Sequence, residues 1–308
     1  MNCLVLGGAG FIGRHLCATL SAAGHRVRAF DLPPKGSAQK WPVVGGVDWV
    51  PGNFTKAGSL DGLLDDVEVV FHLIGTTLPA TSNEDMMHDL QSNVAATLRL
   101  LDLIVSQTKP PRVIFISSGG TVYGIPRTTP ITEDHPTNPI CAYGVSKLTI
   151  EKYLCVYNHL YDLEYCILRL SNVYGTNQSL TRNQGVIPIF LFRALNRLPL
   201  KLWGDGNVVR DYLYIGDLCE ALLATMEYRG PERIFNIGSG QGHSLNNLIQ
   251  IISKTVGHDV ECVSLPGRVW DVPQNILDPG QANRELGWSA KTPLAKGIAS
   301  LLPWLKSL

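Results

Sequence analysis

Tyr143 and Lys147 stand four residues apart in CAYGVSKLTIEKY, residues 141–153. The stretch reads as a helix, and positions i and i+4 of a helix share one face. A lysine ammonium beside a phenol favours the phenolate. A group that ordinarily titrates at about 10 can then work as a base near neutral pH. Two residues on a solvated helix face would look the same, because Tyr-x-x-x-Lys is a short pattern. Its surroundings decide. A Ser/Thr-rich strand end, Ser117 and Ser118, lies some 25 residues before Tyr143.

The second chemical signal opens the chain. LVLGGAGFIGRHL places Gly7, Gly10 and Gly13 as G-x-x-G-x-x-G between a strand and a helix. Glycines there permit a tight turn, close approach of backbone to a pyrophosphate, and close helix packing. The helix that begins at Phe11 and Ile12 aims its free N–H groups at the anion. A second strand ends at Asp31. Its carboxylate can bond the adenine ribose hydroxyls and repels the 2′-phosphate of NADP, so the cofactor expected is NAD. Asn53 and Phe54 follow the third strand and would flank the adenine. FHLIG, residues 71–75, ends the fourth strand where the cofactor should cross the sheet, at Leu73, Ile74 and Gly75. His72, between apolar neighbours, reads as a packed core residue.

These residues need strands to carry them. Short β-rich runs (Asn2–Leu6, Val27–Phe30, Val47–Val50, Val67–Leu73, Val113–Ser117, Tyr165–Leu170, Ile234–Ile237) alternate with helical stretches such as Ile12–Ala23, Val94–Ser106 and Ser146–Tyr161. That alternation predicts an α/β fold with a doubly wound parallel (Rossmann) sheet, and ligands beyond the carboxyl ends of its strands. After about residue 170 the texture turns loop-rich. The expected division is a dinucleotide-binding domain of residues 1–171 plus about 212–238, and a smaller, discontinuous C-terminal substrate domain of 172–211 and 239–308.

Composition narrows the partners. Lys+Arg and Asp+Glu are both 26, so no excess field attracts nucleic acid or an anionic membrane. No apolar run approaches the roughly 20 residues of a membrane span. The apolar start runs straight into glycines without a basic region, which argues against a signal peptide. Seven cysteines without a C-x-x-C pair suggest reduced thiols in a cytoplasmic protein, with no metal site.

GGAGFIGRHL, DLQSNVAATLRLLD, FISSGGTVYG, YGVSK, LRLSNVYG, NQGVIPIF, WGDGNVVRDYLYIGDL, FNIGSG and ANRELGW span nearly the whole chain. With them the sequence resembles the extended short-chain dehydrogenase/reductase family, in particular the nucleotide-sugar 4-epimerases acting on UDP-glucose, UDP-galactose and UDP-N-acetylglucosamine. The resemblance implies Tyr143 as base, Lys147 as its helper on the nicotinamide ribose, and Asn93 as a structural and cofactor-loop residue, with Ser117 also at the cofactor. A Ser/Thr near the end of the fifth strand should bind the sugar 4-hydroxyl, but that position is Gly119. Ser118 and Thr121 are the hydroxyls left for the role. The Gly-Gly-Thr found there departs from the acidic residues of related 4,6-dehydratases and decarboxylases.

The resemblance also implies a nucleotide-sugar site. Arg210 and Arg268 would grip the pyrophosphate, whose oxygens suit the guanidinium fork. Asn172 would bind the phosphate–sugar linkage. Gly185 and Val186 would meet the nucleotide by backbone, Trp203 would pack on the uracil, and Asp271 would hold a uridine ribose hydroxyl. A bulky tyrosine restricts the pocket around C2 in the family, and Asn275 occupies that position, so N-acetylhexosamines should enter. The implied reaction oxidises C4 transiently to a 4-keto sugar and reduces it on the other face, with NAD regenerated. A nucleotide-sugar 4-ketoreductase, a uronate epimerase or dehydratase on the same scaffold, and a non-catalytic NAD-binding regulator remain alternatives. The family commonly dimerises, and Val94–Ser106 and Ser146–Tyr161 are the helices expected at a homodimer interface.

Overall fold

A computed structural model describes residues 1–34, 41–181, 185–267 and 272–308. In chain order the elements begin with β1 (Asn2–Leu6), α1 (Phe11–Ala22), β2 (Arg26–Asp31), β3 (Val47–Pro51), β4 (Val69–His72) and α2 (Met86–Asp89). A π-helical turn (Leu90–Ala95) leads into α3 (Ala96–Val105), then β5 (Arg112–Ser118), α4 (Ala142–Tyr161), β6 (Tyr165–Leu170), β7 (Asn172–Tyr174) and α5 (Val186–Leu195). The chain continues through β8 (Leu200–Trp203), β9 (Val209–Tyr214), α6 (Ile215–Glu227), β10 (Ile234–Ile237), β11 (Gly242–Ser244), α7 (Leu245–Val256), β12 (Cys262–Leu265) and β13 (Gln274–Asn275). Three short helices, α8 (Gly280–Leu286), α9 (Leu294–Ser300) and α10 (Leu302–Lys306), complete it.

Seven strands form a parallel sheet in the order β10-β6-β5-β4-β1-β2-β3. The chain winds outward from β1 in one direction through β2 and β3, then returns to the other side of β1 with β4. The carboxyl ends of β1 and β4 therefore flank the point where the winding reverses, the place where such sheets bind dinucleotides. All four residues of β4 and all six of β6 are buried. Strands covered on both faces read as continuous apolar runs rather than alternations.

The chain divides into two compact units. The first comprises 1–122, 139–169 and 222–235, the second 123–138, 170–221 and 236–308. Leu4, Phe30, Leu100, Phe115 and Ile167 sit in the core of the first. Ile187, Leu191, Leu248 and Ile298 sit in the core of the second, around β9 with its neighbours β7, β11 and β13. β10 reaches the sheet late: Ile167 on β6 donates its N–H to the Arg233 carbonyl at 2.7 Å. Among the described residues no helix is long and apolar enough to cross a membrane.

One element departs from the sequence expectation. The helix expected over Val94–Ser106 is preceded by the π-turn. There Ser92 donates to the His88 carbonyl (2.6 Å), the Asn93 amide to that of Asp89 (3.0 Å), and Thr97 to that of Asn93 (2.7 Å). Side chains that occupy i−4 carbonyls compete with the α-helical ladder and widen the turn. α4 begins at Ala142, within the 141–153 stretch that reads as helix, and its N-cap residue Cys141 makes no side-chain cap bond.

Candidate active site

The first unit gathers two clusters at the carboxyl ends of its strands. Gly7 leaves β1 with φ +87°, a left-handed turn open to glycine, and its N–H bonds the Phe30 carbonyl at 2.8 Å. A Cβ on Gly13 would collide with the Gly7 carbonyl, so α1 approaches the turn as closely as backbone allows. Gly10 caps α1 without a side-chain bond, which leaves the N–H groups at Phe11, Ile12 and Gly13 at an uncapped helix start. Asp31 holds this turn: its two carboxylate oxygens accept from Ala9 N (2.9 Å) and Leu32 N (2.7 Å).

Beside the turn lies the stretch after β4. The Ile74 backbone stands 3.3 Å from where a Gly7 side chain would begin, and Leu73 N bonds the Leu6 carbonyl at 3.0 Å. A side chain on Gly75 would start 4.0 Å from the Tyr143 ring. Asn53 folds back on Thr55, accepting from its N–H and hydroxyl at 3.0 and 2.8 Å. Phe54 is 5% exposed and packs in the core, its ring 5.2 Å from that of His72. His72 is buried, bonds Thr97 at 2.8 Å, and is held neutral: burial, then the charge of Lys147, pulls it down to about 3.

The second cluster is built on β5 and α4. Lys147 is buried and donates to the Ile116 carbonyl at 2.8 Å. Its ammonium lies 4.7 Å from the Phe115 ring centroid and 5.7 Å from that of Tyr143. Burial pulls the lysine down to about 8 although Asp89 and Glu151 oppose it. The Tyr143 phenol is pushed well above its usual value, first by burial, then by Cys141 and Asp89. The expectation was a phenol lowered by Lys147. The protein's own groups act the other way, because a buried phenolate loses its hydration.

Behind the lysine sits a buried ion pair. Glu151, one turn beyond Lys147, meets Arg169 of β6 at 2.6 Å, with both side chains nearly inaccessible. Ser117 donates to the same carboxylate. Ser118 is half-buried, and its carbonyl accepts from Thr121 N (3.1 Å) and Val122 N (3.0 Å) in a tight turn. Gly144 leaves room for that turn, since a Cβ there would stand 2.9 Å from the Thr121 carbonyl. The Thr121 hydroxyl is buried with no hydrogen-bond partner. Asn93 accepts from Thr76 N at 3.0 Å and so fixes the loop after β4.

In the second unit β9 is the organiser. Asn172 faces Tyr212 across β7–β9 and donates to the Asp211 carbonyl at 3.2 Å. Arg210 donates to the carbonyls of Val209 (2.9 Å) and Val272 (2.6 Å). Asn275 pairs with Arg210 in the β13–β9 register and is 1% exposed. The buried Asp211 carboxylate accepts from Ser239 N (2.8 Å), Gly240 N (3.2 Å) and Leu277 N (3.4 Å), tying β9 to both neighbouring segments. Gly185 opens α5 with φ +91° and Val186 follows it, while Trp203 ends β8 at 38% exposure. Arg268 and Asp271 lie outside the described residues.

Five residues that build the first unit's site are given no role by the sequence: Ser82, Asn83 and Glu151, and also Asp89 and Arg169, which stand inside DLQSNVAATLRLLD and LRLSNVYG. Only Glu151 continues a readable pattern, the Tyr143–Lys147 face of α4 one turn further on.

A family model described as the NAD dependent epimerase/dehydratase family matches residues 3–238. A curated putative UDP-glucose 4-epimerase of Methanocaldococcus jannaschii is 36% identical over 310 residues, 99% of this chain and 98% of that protein. The crystal structure of a UDP-glucose 4-epimerase from Thermotoga maritima, with UDP-glucose, gives a TM-score of 0.93 at 33% identity and covers 100% of this chain and 99% of its own. A UDP-N-acetylglucosamine 4-epimerase from Methanobrevibacter ruminantium, in complex with UDP-N-acetylmuramic acid, gives a TM-score of 0.90 at 26% identity over 99% of this chain and 98% of its own. Since the family model spans both the glycine turn and the Tyr143–Lys147 helix, and relatives match along their full length at more than 30% identity, the chain belongs to the NAD-dependent epimerase/dehydratase family.

Proposed function

We propose that this protein is an NAD-dependent 4-epimerase of UDP-hexoses that also accepts UDP-N-acetylhexosamines. The observation that carries the reading is the Tyr143 ring set against Gly75 beyond β4, on the helix that also presents Lys147. The residues present fit the cofactor. The collision a Gly13 side chain would cause marks a cradle shaped for close backbone approach, and we assign Asp31, whose carboxylate braces that turn, to the adenine ribose. Gly7, Gly10, Phe11, Ile12 and Gly13 would take the pyrophosphate, with Leu73–Gly75 and Lys147 toward the nicotinamide ribose. When bound, NAD supplies the acceptor and returning donor of the C4 hydride, and a positive charge that opposes the effect of burial on Tyr143.

The chain's own work is acid–base and positional. Tyr143 takes the proton of the sugar 4-hydroxyl and returns it to the 4-keto oxygen once the ring has turned. Lys147 keeps a cation beside the phenol. Ser118 or Thr121 orients the hydroxyl, and the unpaired, buried Thr121 hydroxyl is a ready donor. We assign the first unit to the cofactor and the second to the nucleotide sugar. There Arg210 and Arg268 would hold the pyrophosphate, Asn172 the phosphate–sugar linkage, Gly185, Val186 and Trp203 the uracil, and Asp271 the ribose. Strong holding of the UDP end and weak holding of the hexose leave the ring free to turn.

Proton NMR of the purified protein with UDP-glucose or UDP-N-acetylglucosamine, without added cofactor, tests the reading. New anomeric signals of both galacto epimers are expected. Silence with both sugars, in protein shown to carry NAD, would overturn it in favour of a ketoreductase or a uronate enzyme. Asn275 bears on the acetylated sugar alone. Asn275→Tyr should lower turnover of UDP-N-acetylglucosamine relative to UDP-glucose by about tenfold or more, the scale at which pocket bulk discriminates. An unchanged ratio would remove Asn275 from the account.

A cytoplasmic homodimer is the state this reading expects. Val145 (50%), Tyr153 (38%), Val156 (45%) and Leu160 (61%) are exposed along one side of α4, more apolar area than a solvated helix needs. The exposed positions of α3 are the charged Arg99 and Asp102. Leu160→Glu should convert a dimer to monomer in light scattering; a monomeric parent protein would refute the assignment.

A further inference from the structure

α4 carries the catalytic pair, yet its own sequence gives it no cap. The first N–H groups of any helix need partners from elsewhere. Here they come from the segment after β4. Asn83 Oδ1 accepts from Ala142 N at 2.9 Å and Ser82 Oγ from Tyr143 N at 3.0 Å. One turn on, Ser146 donates its hydroxyl to Asp89. Three contacts therefore fasten residues 142, 143 and 146 to a single stretch of chain.

That stretch is itself anchored by Asp89. The carboxylate that receives Ser146 also receives the Thr77 hydroxyl and the Asn93 amide, the latter at 3.1 Å. Asn93 in turn fixes Thr76. Ser82 is 0% and Asp89 1% exposed. The described ion pairs are Arg28–Asp48, Arg169–Glu151 and Lys291–Glu220, so Asp89 is a buried acid held by neutral donors alone. A buried acid ordinarily needs a cation or a reason.

We propose that Asp89 is a positioning residue for the Tyr143–Lys147 pair: it locks residues 76–89 into the external cap of α4 and places a negative charge beside the pair. The inference rests on the epimerase reading for its kinetic arm. Tyr143 and Lys147 are faced by Asp89 from α2, Cys141 from the start of α4, Glu151 from α4 with Arg169 of β6 behind it, and His72 from β4. Asp89 supports the charge on Lys147 and opposes a charge on Tyr143. Removing it therefore lets both groups lose their protons at lower pH, and the working range moves to lower pH as a whole.

The experiment compares NAD-loaded wild type with Asp89→Asn, Ser82→Ala and Asn83→Ala. Asp89→Asn keeps the shape and removes the charge. Its kcat for UDP-glucose is expected to fall about 10- to 100-fold, as displaced catalytic groups do, with KM within about twofold and both limbs of the kcat–pH profile moved to lower pH. Ser82→Ala and Asn83→Ala should lower kcat without moving the profile. They should also speed amide exchange in the first turn of α4 about fivefold, the effect of losing a helix cap. A wild-type kcat and unmoved profile in Asp89→Asn would overturn the electrostatic role. Unchanged exchange at residues 142–146 in the Ser82 and Asn83 variants would overturn the cap. If wild type turns over no UDP-hexose, the epimerase reading fails by itself, and the exchange measurement alone decides the cap.

Discussion

Tyr143→Phe should reduce epimerisation by about 10³-fold or more while NAD and UDP-glucose remain bound, the loss expected when a positioned acid–base group is deleted. The substitution removes one oxygen. The ring keeps its place against Gly75 and 5.7 Å from the Lys147 ammonium, and the backbone N–H keeps its bond to Ser82. Neither His72 nor Ser117 is placed to inherit the proton. His72 is buried, bonded to Thr97 and held neutral down to about pH 3. The Ser117 hydroxyl is committed to Glu151. Cofactor content from absorbance and substrate binding by calorimetry would separate lost chemistry from lost binding. Activity within tenfold of wild type would show that another group moves the proton, and Thr121 would be the next to replace.

The largest loss of stability should follow from splitting Arg169 and Glu151. Breaking a buried pair leaves an unpaired charge and costs about 3–5 kcal/mol. In a chain of this size that corresponds to a fall in melting temperature on the order of 10 °C. Arg169→Met should show it by scanning calorimetry. Joining Glu151→Leu to Arg169→Met should restore most of the loss, because neither member of the pair then leaves an unpaired charge behind. The double variant carries a second expectation with the opposite sense. Glu151 opposes the effect of burial on Lys147, so its removal lets the lysine lose its proton below about 8. Activity should then fall off at lower alkaline pH even as stability returns. A double variant as unstable as the single one would mean that packing, not charge, dominates the site.

Much of this was legible in the residues. β1, β6 and β10 have the bounds their apolar runs predict, since a strand buried on both faces writes itself as an uninterrupted hydrophobic run. The glycine turn was legible for a similar reason: close backbone approach leaves few alternatives to glycine at Gly7 and Gly13. What escaped was anything determined by side chains meeting across long sequence separation. Nothing about Ser82 or Asn83 announces that each will cap a helix 59–61 residues away. Asp89 opens the DLQSNVAATLRLLD motif, but nothing in that motif says that Thr77 and Ser146 meet on its carboxylate. The direction in which Phe54 points could not be read either, because an aromatic after a strand can turn to a ligand or to the core. Periodicity reports burial, and it carries no record of which polar groups share a pocket.

The arrival of β10 bears on how the chain is made. Its strand pairs with β6, but 63 residues separate the end of one from the start of the other, and the second unit's β9 is laid down between them. On the ribosome, β6 must wait as an unpaired and largely apolar sheet edge until residue 234 has emerged. An edge of that kind can recruit a strand from another chain. The first unit, though it holds the N-terminus, therefore cannot finish before much of the second has been synthesised, and crowding during synthesis, rather than final stability, becomes the moment of greatest exposure.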